Sequence, residues 1–239
     1  EGDREMAGRL DRLLDWLFPR RCAFCGHPVE TGQPACSRCR EELPRIAGPV
    51  CPLCGREKGS CRCGQRRRAY RRCVSPFYYE GPAKRGILRL KLYGKVYAAE
   101  GFAQAMAETV RREYEGIAFD ALVPVPISDS TRRERGYNQS ERLASALGKG
   151  LAVPVAEGLV KVAENPPQRS LPASQRSGNV LGVFDCAPGF VPEGQVLLLV
   201  DDVSTTGATL DECAKMLKIY GAEEVYAVTA AAARLSNGG

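Results

Sequence analysis

The stretch VLLLVDDVSTTGATLDECAKML, residues 196–217, decides how this chain is read. Five apolar residues, Val196, Leu197, Leu198, Leu199 and Val200, predict a strand buried on both faces. Asp201 and Asp202 follow at its C-terminal end. Small residues come next, Ser204, Thr205, Thr206, Gly207, Ala208 and Thr209, opening into a helix. With so little side-chain bulk, the backbone N–H groups of such a loop can wrap a phosphate at the helix N-terminus. Two adjacent carboxylates suit the vicinal hydroxyls of a sugar. The combination points to a pentose carrying a 5′-phosphate, against the plainer reading of a strand–turn–helix with polar punctuation.

Outward from this motif, residues 74–239 alternate strand and helix patterns. VSPFYYEG, FDALVPVP, LVKV, GVFDC and EVYAVTAAAA read as further strands, and residues 82–92, 97–114 and 137–148 as helices. That alternation implies an α/β domain, a parallel sheet with helices on both faces. Ligands of such sheets bind beyond the strand C-termini, where the two acids lie. VPVPISDSTRRERGYNQS also follows a strand and offers Arg132 and Arg135 for a pyrophosphate; a solvated loop is the alternative. The polar stretch around Gln168, Arg169, Arg176 and Asn179 reads as a binding loop or a linker.

The N-terminal third has different chemistry. Eleven cysteines occur in the 239 residues, and eight pair by local spacing: Cys22 with Cys25, Cys36 with Cys39, Cys51 with Cys54, and Cys61 with Cys63. Two such knuckles complete a tetrahedral thiolate site, so one or two structural Zn²⁺ ions are expected. Pairing in sequence order is the simplest arrangement, and an interleaved one fits the same spacing. Disulfides are the rival reading, but they need an oxidising compartment, and no export signal or membrane span is legible. A cytoplasmic protein is expected. Leu10, Leu13, Leu14 and Leu17 recur at helical spacing before Pro19, which predicts a short helix. The resulting division is 1–19 helix, 20–73 cysteine module, 74–239 α/β domain.

The basic excess lies in this third: residues 1–73 carry 16 Lys+Arg against 9 Asp+Glu, and the remainder 18 against 19. Arg66, Arg67, Arg68, Arg71 and Arg72 crowd together and are candidates for nucleic-acid phosphates; a solvated basic linker is the alternative. Phe24, Tyr70, Phe77, Tyr78 and Tyr79 are candidates for base stacking or for the core.

The apolar run, acid pair and Thr-Thr-Gly-x-Thr resemble the phosphoribosyl-pyrophosphate (PRPP) signature of type I phosphoribosyltransferases. The whole order resembles the ComF/ComFC family: cysteine knuckles, a Lys-bearing helix, VPVP with RGYNQ at residues 135–139, and Gln168-x-x-Leu171 with Arg176 and Asn179. The resemblance implies a type I phosphoribosyltransferase-like sheet behind a zinc-ribbon module. It also implies PRPP, or a related phosphosugar, bound with Mg²⁺. Asp201 and Asp202 would hold the ribose diol, Thr205 to Thr209 the 5′-phosphate, and Arg132, Arg135 and Lys91 the pyrophosphate, with Arg176 closing over it. A role in natural transformation follows, with single-stranded DNA and other competence proteins as partners. An active phosphoribosyltransferase of unknown acceptor is the other reading.

Overall fold

The computed structural model describes residues 20–64, 67–94, 96–162 and 182–234. The expected N-terminal helix and the 163–181 stretch lie outside them. The sheet is parallel, in the order β1 (Cys73–Val74), β7 (Glu224–Ala232), β6 (Val196–Ser204), β3 (Ala121–Pro124), with β2 (Phe77–Tyr78) on the same edge of β7 as β1. The motif strand β6 is therefore interior, flanked by Leu199↔Ala227 on one side and Val123↔Leu199 on the other. Its apolar residues alternate between two cores. Leu198 and Val200 join the helices α2 (Gly81–Tyr93), α3 (Val96–Glu113) and α5 (Gln139–Leu151), while Leu197 and Leu199 face α6 (Ala208–Ile219). Burial on both faces explains the unbroken apolar run.

VSPFYYEG forms two short pieces instead of one strand. Pro76 has no N–H for the ladder, and the break at Ser75 is bridged by its hydroxyl, 2.6 Å from that of Thr229. The run DSTRRERGY contains the 7-residue helix α4 (Asp129–Arg135), not a loop. Ser128 caps it, accepting from the Thr131 N–H at 3.3 Å. LVKV and GVFDC pair antiparallel as β4 (Leu159–Lys161) and β5 (Phe184–Cys186), a ribbon off the main sheet. Among the described residues, no helix is long and apolar enough to cross a membrane.

The cysteine module, with its short helix α1 (Ser37–Glu42), is docked on the sheet domain. Phe24 packs edge-on against Phe77 at 5.7 Å and Phe102 at 5.0 Å, inside the helix-side core. Cys73 and Val74 pair together with β7, so the expected boundary between 73 and 74 falls inside one strand.

Candidate functional site

The acid pair sits at the C-terminal end of β6, and each acid has a different partner. Ser140 Oγ donates to Asp201 Oδ1 at 2.9 Å, which also accepts the Asp202 N–H at 2.8 Å. Lys91 Nζ stands 2.8 Å from Asp202 Oδ2. That is a close ion pair by distance, but its angles do not make a hydrogen bond, so the buried Oδ2 has a charge partner and no aligned donor. Burial pushes the half-buried Asp201 carboxyl up to about 7, aided by the Asp202 charge, against the pull of the Asp202 amide, the Ser140 hydroxyl and Lys91.

Residues 137–140 place these partners. The Tyr137 hydroxyl accepts from the Gly94 N–H at 2.7 Å and lies against the carbonyls of Leu90 and Lys91, tying down the end of α2 that carries Lys91. Asn138 is buried. Its amide donates to the Val125 carbonyl at 3.0 Å, and its Oδ1 accepts the Ser140 N–H at 2.9 Å, capping α5. The GYNQS run thus acts by fixing the two acids.

The loop after the acids has the geometry of an anion cradle. Ser204 is buried, while Thr205, Thr206, Ala208 and Thr209 are exposed. Gly207 begins α6 at φ +76°, and a Cβ there would lie 2.8 Å from the Tyr70 hydroxyl, so only glycine fits. Gly207 gives α6 no side-chain cap bond, and the Ala208 N–H reaches only the exposed Thr206 Oγ1, at a long 3.4 Å, so a ligand can compete for first-turn N–H groups. The loop's carbonyls turn the other way. Arg56, 1% exposed, donates to Ala233 O at 2.7 Å, to Ser204 O at 2.9 Å and to Thr205 O. Arg68 donates to Thr206 O at 2.7 Å.

The cysteines form two clusters in sequence order, Cys22, Cys25, Cys36 and Cys39, and Cys51, Cys54, Cys61 and Cys63, each with its sulfurs within 4.8 Å of one another. Four thiolates ~2.3 Å from Zn²⁺ in a tetrahedron stand about 3.8 Å apart. Cys25–Cys36 and Cys54–Cys61 are each at 3.7 Å. All eleven cysteines are free thiols, so the geometry fits two zinc ions and not disulfides. Cys73, Cys186 and Cys213 lie outside both clusters.

Other sequence-predicted residues are placed differently. Arg132 is paired with Glu141, and Arg135 donates to Gln139 Oε1 at 3.2 Å, so neither guanidinium is held by the acid pair. Arg132 also lines a groove of about 800 Å³ between α3 and α5, whose lining includes neither acid. In the arginine run, Arg68 is also paired with Asp211 at 3.4 Å, and Arg72 is bound to Glu113; both serve the fold. Arg67 and Arg71 are exposed. Phe24, Tyr70, Phe77 and Tyr78 are buried and closed to a base, whereas Tyr79 is half-buried. Arg176 and Arg66 lie outside the described residues.

Three residues of the site carry no signal in the sequence pattern: Arg56, Ser140 and Asp211. Arg56 reads there as one more cation of a basic segment, and Asp211 as a surface acid. Only their burial marks them.

Comparisons with known proteins match two parts of the chain. Residues 13–74 match the double zinc ribbon domain and residues 134–237 the phosphoribosyl transferase domain. Competence protein F of Haemophilus influenzae is 30% identical over 223 residues, covering 87% of this chain and 95% of that protein. Competence protein ComFC of Bacillus subtilis is 31% identical over 199 residues, covering 79% and 80%. DNA utilization protein YhgH of Escherichia coli is 29% identical over 217 residues, covering 87% and 94%.

Proposed function

The chain belongs to the ComF/ComFC family of competence proteins, and from that premise we propose that it binds PRPP, or a related phosphosugar, with Mg²⁺. In this reading it acts in DNA uptake, on single-stranded DNA in the cytoplasm. The observation that carries the phosphosugar reading is the pairing of two acids, each with its own partner, with an exposed small-residue loop at the end of one interior strand. Asp201 and Asp202 hold the ribose hydroxyls and, directly or through water, Mg²⁺. The ion neutralises pyrophosphate charge when bound. The amides from Thr205 to Thr209 receive the 5′-phosphate, and Lys91 lies at the pyrophosphate end. The names of the relatives, competence protein and DNA utilization protein, support DNA as partner. For DNA, exposed Arg67 and Arg71 are the contacts of this reading.

The cation Lys91 beside the acid pair favours a second reading, turnover of PRPP with an acceptor, because a leaving pyrophosphate needs positive charge. Calorimetric titration of PRPP with and without Mg²⁺ tests binding. Pyrophosphate release across nucleobase and amine acceptors tests turnover. Competition between PRPP and a single-stranded oligonucleotide tests whether DNA uses the same cleft.

A further inference from the structure

We propose that Arg56 is a positioning residue for the phosphosugar site, through which the second cysteine cluster holds the phosphate loop in its binding orientation. The inference rests on the phosphosugar reading of the loop. Its basis is peptide geometry. In a trans peptide the C=O points opposite to the N–H of the next residue. Arg56 binds the carbonyls of Ser204 and Thr205, and Arg68 that of Thr206. The amides of Thr205, Thr206 and Gly207 must then point away from the arginines. Three consecutive peptide planes are set from behind, with their positive ends facing outward. A buried cation at the carbonyl side also polarises these peptides in the sense that favours an anion in front.

The arginine is itself held by the metal module. It lies two residues after Cys54, and its carbonyl accepts the Cys51 N–H at 2.7 Å, so the knuckle closes around it. Between them Gly55 has φ +67°, and a Cβ there would stand 2.5 Å from Cys73 O and 2.8 Å from Val74 Cα. The knuckle is thus pressed onto β1, and no other residue allows that approach. A tetrathiolate Zn²⁺ site carries net negative charge, which suits a buried guanidinium beside it. The first cluster has no such bond to the loop among the described residues; its Phe24 packs into the helix-side core instead.

The test uses the full chain in wild-type form and as Arg56→Gln and Arg56→Lys, with three readouts: zinc content, backbone order parameters of residues 204–209 from NMR relaxation, and PRPP titration with Mg²⁺. Arg56→Gln is expected to keep its zinc while the order parameters of Thr205 and Thr206 fall into the flexible range, below about 0.6, and PRPP affinity falls about tenfold. Gly207, whose preceding carbonyl is held by Arg68, should change less. Lysine keeps the charge but cannot span three carbonyls, so Arg56→Lys should recover part of both losses. A global loss of packing would lower order throughout the chain, and the local change separates the two. If Arg56→Gln does not fold, Arg56→Lys decides by the same readouts. Unchanged loop order and affinity in a zinc-replete variant overturns the proposal. If wild type itself does not bind PRPP, the phosphosugar reading fails, and the order parameters alone decide whether Arg56 orders the loop.

Discussion

Ser140 donates its hydroxyl to Asp201 across 2.9 Å, joining the start of α5 to the end of β6, 61 residues away in sequence. The neighbouring acid is served by the same segment at one remove. Tyr137 ties down the end of α2 and so places Lys91 beside Asp202. One short run therefore governs both carboxylates, which gives it a reason to be present that a pyrophosphate loop alone would not require.

Tyr137→Phe should separate this role from a merely packed ring. The substitution leaves the Gly94 N–H without its acceptor at 2.7 Å and frees the Lys91 carbonyl. The expected cost is about 1–2 kcal/mol of stability, read as a fall of a few degrees in Tm, with severalfold weaker PRPP binding. An unchanged Tm and affinity would show that the hydroxyl does not hold Lys91.

Asp201 predicts a pH dependence with a definite sign. Its carboxyl is raised from 3.8 to about 7 in the folded chain. Below 3.8 it is protonated in both states. As pH climbs towards 7 the unfolded chain releases the proton and the folded chain keeps it, so stability falls, and above 7 the loss is constant. Asp201→Asn removes that loss. Its Tm should exceed the wild-type value at pH 8 by a few degrees, since partial exposure tempers the effect, and match it near pH 4. Wild-type affinity for PRPP with Mg²⁺ should rise between pH 6 and 8, as the ionised acid becomes available. A Tm difference that does not change with pH would place the titration elsewhere.

The sheet was legible at its centre because β6 is long and apolar, whereas the edge strands β1 and β2 are only two residues each. The run from Val196 to Val200 announced β6, whereas the edge at Pro76 hid a break and TRRER hid a helix. The metal clusters were legible because thiolate spacing is local. The bonds from Arg56 and Arg68 to the loop were not, because they join residues 138–149 apart and depend on burial that no local pattern encodes.

Metal analysis of purified protein should find two zinc ions per chain. Cys22→Ser should lower stability by several degrees in Tm, because a structural site's binding energy is part of folding energy. Disulfides at these eight positions, with no zinc, would contradict the assignment.

Neutralising Arg67 and Arg71 should weaken single-stranded DNA binding and flatten its dependence on salt by ~0.7 in log–log slope for each phosphate that is no longer neutralised. Fold and zinc content should be unaffected, since both side chains are exposed. Arg72→Ala should instead lower stability by removing its bond to Glu113. Unchanged DNA affinity at low salt in the Arg67 and Arg71 variant, measured by fluorescence anisotropy, would make these residues a solvated surface.

The central claim is that the acid pair and the loop after it form a phosphosugar site. Calorimetric titration of PRPP with Mg²⁺ into wild type and into the Asp201→Asn, Asp202→Asn double variant tests it most directly. Saturable wild-type binding, abolished in a double variant that keeps its zinc and its cooperative unfolding, is the predicted result. Equal affinity in the two proteins, or no binding by wild type with its zinc in place, would contradict it.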